Sequence, residues 1–265
     1  MTQHEGGHAR LETVGLLHVE HAGAGPATVL LHAGIADSRM WDPQWTTWPA
    51  HRAVTRLDFR GFGRSGRPVG AFSHAGDVLD VLDASGIDRA ALVGASLGGR
   101  AALDLAAAHP ERVTGLVLAA PPLPGHAWSE EMRTFSADED EALDAGDLDA
   151  ATEVNVEFWL PSSREEVRAA IREQQLNAFR LQVPDECDES LLTEDLVSTL
   201  PAVAAPTLVL TGEQDRGDFI AIADRLAATL PNARRESIAG ACHLPSLEQP
   251  AAFDALVLPF LEEVS

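Results

Sequence analysis

The stretch that most constrains this 265-residue chain is Ala90-Ala91-Leu92-Val93-Gly94-Ala95-Ser96-Leu97-Gly98-Gly99-Arg100. An apolar run of strand type ends at Gly94, and a serine follows two residues later. Residues 97–108 then carry the alanine- and leucine-rich pattern of a helix. A chain that reverses from strand to helix over so short a turn holds the serine in a strained backbone conformation. The two backbones pass so close that only small neighbours fit between them. The result is a hydroxyl raised above a sheet edge, at a helix N-terminus whose free N–H groups face any negative charge that develops there. Ser96 is therefore the candidate nucleophile. The plainer alternative is a tight turn with a solvated serine, and the strand before and helix after favour the catalytic reading.

The rest of the chain supplies the sheet that such a turn needs. Residues 11–20 alternate loosely and predict one or two opening strands. Residues 27–32 form a continuous apolar run, as in a strand buried on both faces. Trp41, Trp45 and Trp48 sit at i, i+4, i+7 spacing and predict a core-facing helix stripe rather than a substrate-stacking surface. Residues 53–58 predict a strand, followed by a Gly-rich turn that lacks the lysine and the spacing of a phosphate loop. Residues 73–85 predict a helix capped by Ser73. Residues 113–120 and 206–211 predict strands, and residues 219–229 a helix. Residues 233–238 predict a short strand, and residues 249–262 a closing helix.

Strands alternating with helices define an α/β chain with a mostly parallel sheet and helices on both faces. Residues 126–199 break the alternation: they are acidic and helical, with no clear buried strand. We read residues 1–122 and 201–265 as two parts of one core and residues 123–200 as a helical cap inserted over the sheet's carboxyl edge. Ligands bind at that edge in open α/β sheets, so the cap's inner face helps choose the substrate. Phe135, Phe158, Trp159, Leu160, Leu176 and Phe179 are its candidate inward residues, most of them serving the cap's own core.

Composition narrows the function classes. With 41 acidic residues against 19 basic ones, all arginine, the formal charge is −22. Such a surface disfavours nucleic acid and anionic membranes as partners. The two cysteines, Cys187 and Cys242, make no disulfide framework and enter no metal-ligand spacing, so no metal is expected. No signal peptide and no membrane-spanning apolar run is present, which predicts a soluble, cytoplasmic protein; the sequence leaves its oligomeric state open.

A serine hydroxyl is a poor nucleophile at neutral pH and needs a base, itself oriented by a third group. Two loops after later strands offer them. One is Gly212-Glu213-Gln214-Asp215-Arg216-Gly217-Asp218, and the other is Ala239-Gly240-Ala241-Cys242-His243-Leu244-Pro245. His243 is the only one of ten histidines on the loop where the base belongs. Asp215 is the candidate orienting acid, with Glu213 and Asp218 as rivals. The Leu97 N–H is one candidate donor to an oxyanion; the other comes from the loop carrying Gly34 and Ile35. His32 reads as a brace for that loop.

Five stretches together resemble the α/β-hydrolase superfamily over nearly the whole chain. They are Leu30-Leu31-His32-Ala33-Gly34, Asp58-Phe59-Arg60-Gly61-Phe62-Gly63-Arg64-Ser65, Gly94-Ala95-Ser96-Leu97-Gly98-Gly99, Thr211-Gly212-Glu213-Gln214-Asp215 and His243-Leu244-Pro245-Ser246-Leu247-Glu248-Gln249-Pro250. The chain looks like the cofactor-free branch of carboxylesterases, 3-oxoadipate enol-lactonases, perhydrolases and carbon–carbon bond hydrolases. That resemblance implies an eight-stranded sheet with a cap between strands six and seven. It also implies Gly34 as the second oxyanion donor, although His32-Ala33-Gly34 departs from the usual His-Gly-x. A serine at position 96 sets the chain apart from the aspartate-nucleophile dehalogenases and epoxide hydrolases. The expected reaction is acyl transfer from a small ester or lactone to water. Carbon–carbon cleavage or perhydrolysis by the same triad is the alternative, and a ligand-binding receptor on the same scaffold is the alternative of another class.

Overall fold

The computed structural model describes residues 10–182 and 188–265. In chain order these form β1 (Arg10–Val14), β2 (Leu17–Ala22), β3 (Ala27–Leu31), α1 (Asp42–Thr47), β4 (Ala53–Asp58), β5 (Ala71–Phe72), α2 (His74–Ala84), β6 (Ala90–Ala95), α3 (Leu97–Ala108) and β7 (Val113–Ala119). Then come α4 (Glu130–Asp144), α5 (Leu148–Trp159), α6 (Glu165–Gln182), β8 (Asp188–Glu189) and α7 (Leu196–Thr199). The chain closes with β9 (Thr207–Gly212), α8 (Gly217–Thr229), β10 (Ala233–Ile238), α9 (Pro245–Glu248) and α10 (Pro250–Glu263). The main sheet has eight strands in the order β1-β2-β4-β3-β6-β7-β9-β10. Only the β1–β2 and β2–β4 pairings are antiparallel; the other five are parallel.

Alternation along the strands builds the layers. Val29 and Leu31 of β3, Leu92 of β6 and Leu116 and Leu118 of β7 share one core with Val78 and Leu82 of α2, Leu103 of α3 and Ile222 of α8. Leu30, Val93 and Val117 face the opposite core with Phe253 and Val257 of α10. The sheet is thus buried on both faces, which is why its central strands read as unbroken apolar runs. Its direction of growth reverses between β3 and β6. β4 lies beside β3 on one side, and β7 lies beside β6 on the other. That switch point is where an open α/β sheet presents a crevice, and Ser96 and the loop after His32 both emerge there.

One local reading is corrected by the structure. The tryptophan segment is not one helix but a 3-10 turn at Ser38–Trp41, the short α1 and a second 3-10 turn at Trp48–Ala50. Pro43 and Pro49, each near the start of one of these pieces, lack the N–H that would continue the preceding turn. Trp41 and Trp48 are still buried, against Phe253 at ring distances of 6.0 and 6.5 Å. Trp45 is only half-buried, with the Arg56 guanidinium 4.4 Å over its ring. The chain also forms a small parallel ribbon of β5 with β8, tying residues 71–72 to residues 188–189. Two-residue strands carry no alternation, so no periodicity announced them.

The crossing of β6 and α3 is the tightest contact around the switch point. A Cβ on Gly94 would lie 2.3 Å from the Gly98 carbonyl oxygen, and one on Gly98 would lie 2.2 Å from the Leu31 oxygen. We expect Gly94→Ala to lower the unfolding free energy by at least about 2 kcal/mol in urea titration, because backbone must move to admit the methyl. Gly217→Ala, where a Cβ meets nothing within 4 Å, is the control and should change stability by less than about 0.5 kcal/mol.

Candidate active site

Ser96 sits between β6 and α3 with φ 47° and ψ −113°. A non-glycine residue at positive φ costs roughly 1–3 kcal/mol and persists only where its surroundings impose it. Here its N–H donates to the Ala119 oxygen at 2.8 Å and its own oxygen accepts from the Arg100 N–H at 3.0 Å. One residue along α3, the Gly98 N–H donates to the His32 oxygen at 3.0 Å. That bond fastens the start of the helix to the loop after β3. A Cβ on Gly34 in that loop would stand 3.8 Å from the Leu97 side chain, so the two backbone positions expected to hold an oxyanion are neighbours.

The loops after β9 and β10 meet through backbone bonds. Glu213 N–H donates to the Ile238 oxygen and Gln214 N–H to the Ala241 oxygen, each at 2.9 Å. Their side chains meet as well: His243 Nδ1 is 2.9 Å from Asp215 Oδ1. A carboxylate only accepts, so Nδ1 carries the proton and a neutral ring keeps Nε2 as an acceptor. Both residues are buried. Asp215 Oδ1 also accepts from the Arg216 backbone N–H at 2.8 Å.

The rivals of Asp215 are engaged elsewhere. Asp218 Oδ1 lies 2.8 Å from His126 Nε2 and accepts from the Ser129 N–H at 3.0 Å, at the start of α4. Burial pushes this carboxyl up, but the bonds from Ser129 and His126 outweigh it and hold it below the usual carboxylate range. Glu213 is exposed. His32 has no free ring nitrogen: Nδ1 donates to the Ala33 oxygen at 2.8 Å and Nε2 accepts from the Phe59 N–H at 2.9 Å. Burial lowers its pKa, which keeps the ring neutral in that brace.

Ser96 and His243 line one cavity of about 320 Å³, together with Gly34, Ile35 and Leu97. Phe135 and Glu139 of α4 and Asn155 and Trp159 of α5 form its other wall, and Arg100 lines it from α3. Trp159 lies 4.3 Å from the His243 ring at 33°, and Phe219 meets that ring edge-on at 4.6 Å. Of the other candidate inward residues, Leu160 and Phe179 are buried, Phe158 stacks on Phe135 at 4.2 Å, and Leu176 is half-buried.

Several bracing residues went unmarked in the sequence. Glu248 accepts from the Cys242 N–H at 3.0 Å and the Leu244 N–H at 2.9 Å, on either side of His243. Ser163, between α5 and α6, donates its hydroxyl to the same carboxylate. Arg216 pairs with Glu131 of α4 at 2.6 Å and lies 4.0 Å over the Phe158 ring. The residue next to Asp215 thus grips both helices of the opposite wall. Glu248 lay in a stretch already singled out; nothing in the acidic run separated Glu139 from its neighbours. Cys242 is buried and unpaired, and burial pushes its thiol up; Cys187 lies outside the described residues. Among the described residues no cluster of His, Cys, Asp and Glu could hold a metal ion, and no helix is long and apolar enough to cross a membrane.

A family model described as alpha/beta hydrolase fold matches residues 26–250, and the chain belongs to that family. It is a hydrolase of the α/β class, in agreement with its relatives. The putative carbamate hydrolase RutD from Caulobacter sp. (strain K31) is 31% identical, the match covering 93% of this chain and 96% of that one. Its counterpart from Variovorax paradoxus (strain S110) is also 31% identical, over 94% and 97%. Among solved structures, the enol-lactonase from Burkholderia xenovorans LB400 shares 26% identity at a TM-score of 0.78, covering 96% of this chain and 100% of that one. A hydrolase from Pseudomonas aeruginosa PA01 shares 27% at a TM-score of 0.77, over 96% and 98%.

The Glu248 brace is open to a direct check. Glu248→Ala leaves the Cys242 and Leu244 N–H groups buried without an acceptor. We expect a loss of about 2–4 kcal/mol in urea unfolding, since bonds to a charged group contribute about 1.5–3 kcal/mol.

Proposed function

We propose that this hydrolase cleaves a small carboxylic ester or lactone through an acyl-serine intermediate. Ser96 Oγ attacks the acyl carbon while His243 Nε2 takes its proton. Asp215 fixes the imidazole tautomer and balances the imidazolium charge. The tetrahedral oxyanion falls between the Leu97 and Gly34 N–H groups, each such donor being worth roughly 3–4 kcal/mol. The same imidazolium then protonates the leaving alkoxide. A water, deprotonated by His243, attacks the acyl-serine and releases the acid. The observation that carries this reading is that Ser96 and His243 open on one cavity, with His243 held by Asp215 at 2.9 Å.

Residues 123–200 act in this reading as a cap, supplying the wall of Phe135, Glu139, Asn155 and Trp159. The enol-lactonase likeness supports a lactone as substrate. The curated relatives favour a second reading, a carbamate cleaved by the same machinery through a carbamoyl-serine. A panel of short esters, lactones and carbamates in one hydrolysis assay separates the two.

Ser96→Ala should lower kcat on the best of these substrates by at least about 10³-fold with the fold intact. Retention of more than a tenth of the activity defeats the assignment. Asp215→Asn should cost several orders of magnitude, because the amide imposes the wrong tautomer on His243. Asp218→Asn should be far milder; the reverse result would make Asp218 the orienting acid.

A further inference from the structure

The cavity that holds Ser96 and His243 has a polar wall with a definite hydrogen-bonding character. Of its lining side chains beyond those two, only Arg100, Glu139 and Asn155 carry charge or an amide. Arg100 is already neutralised, its guanidinium donating to Glu189. Asn155 is buried and its amide is committed: Nδ2 donates to Glu139 Oε1 at 2.5 Å and to the Ala151 oxygen at 3.0 Å. Its Oδ1 accepts from Trp159 Nε1 at 3.3 Å. Asn155 thus orients Glu139 and has no donor left to offer a ligand. Glu139 uses one oxygen on Asn155, while Oε2 takes no bond from the described residues. What this wall offers a substrate is therefore an acceptor with negative charge.

A neighbouring cleft has the same sign. It has a volume of about 500 Å³ and is lined by Glu130, Glu131, Asp138 and Glu157, and Phe135 belongs to both linings. Arg216 offsets one of these carboxylates through its pair with Glu131; the others are exposed and unopposed within the cleft. Acidic walls beside a site raise the local concentration of cations and lower that of anions.

We propose that Glu139 determines the specificity of this hydrolase, selecting short acyl substrates whose far end carries an ammonium group or another cationic hydrogen-bond donor. The inference rests on the hydrolase reading of the cavity and adds the charge of its substrate. Burial pushes the Glu139 carboxyl above the usual carboxylate range, against the bond from Asn155. A cation alongside restores what burial removes, because opposite charge favours the ionised form. The two partners stabilise each other inside a site that water only partly reaches. An anionic acyl chain meets the reverse: its charge would be buried beside a carboxylate with Arg100 already paired.

The experiment uses three methyl esters of matched length: methyl 4-aminobutanoate, methyl pentanoate and monomethyl glutarate. For the wild type we expect kcat/KM for the cationic ester to exceed that for the neutral one by about tenfold or more, with the anionic ester slowest. Glu139→Gln keeps an acceptor for Asn155 and should bring the cationic-to-neutral ratio near one. A ratio unchanged in the variant, or a preference for monomethyl glutarate, overturns the proposal. A second arm needs no turnover: n-butylammonium binding, titrated by calorimetry, should weaken at least about fivefold in Glu139→Gln. Equal affinity for the two proteins also overturns it. If the wild type cleaves none of the esters yet the variant loses n-butylammonium, the ester reading fails and the cation site stands.

Discussion

Everything at the site depends on how closely β6, α3 and the end of β3 pass one another. The Gly98 N–H reaches the His32 oxygen at 3.0 Å because no side chain stands at position 98, where a Cβ would fall 2.2 Å from the Leu31 oxygen. One contact therefore sets two things. It imposes the positive φ of Ser96, and it brings the Gly34 loop against Leu97. Strain at the serine and preorganisation of the neighbouring N–H groups are two sides of the same packing. Ala120, at the end of the adjacent strand, also has positive φ, at 49°, and is held by a 2.8 Å bond to the Leu210 oxygen. The sheet's carboxyl edge is where this fold accumulates backbone strain.

Around that edge, buried polar groups act as braces. His32 bridges Ala33 and Phe59, and Glu248 holds the backbone on both sides of His243. Asp58 accepts from the Ser38 N–H at 2.7 Å and the Arg64 N–H at 2.9 Å, joining two further loops. Each of these carboxylates or rings would be costly to bury alone and is stabilised by several directed bonds. The chain's arginines follow the same economy. Arg56 pairs with Glu20 and Asp42, Arg60 with Asp77 and Arg216 with Glu131. Acidic residues outnumber arginines about two to one, so the net charge stays strongly negative.

The loops that complete the site were legible to different depths. Ser96 and His243 stood out because their surroundings leave a local trace: a strand–turn–helix pattern in one case, a lone histidine after a strand in the other. Asp215 did not separate itself from Glu213 and Asp218 by any local property. Only the folded chain divides them, sending Asp218 to His126 and Ser129 and Asp215 to His243. The tryptophan segment shows the opposite limit. Its spacing is right about Trp41 and Trp48, but Trp45 is only half-buried, and the prolines inside the segment divide it into three short pieces.

The alternation of the main strands and helices, the crossing at Ser96 and the helices between residues 130 and 182 were determined by the sequence itself. Apolar periodicity and small residues act over a few neighbours and need no distant partner. Which carboxylate meets the imidazole, which acid lines the cavity and how the tryptophans pack were decided only in three dimensions. Those outcomes depend on contacts between residues 28 and 16 positions apart, Asp215 with His243 and Asn155 with Glu139. Local periodicity relates residues two to four positions apart and specifies neither pairing, so both are set only once the layers have closed around the sheet.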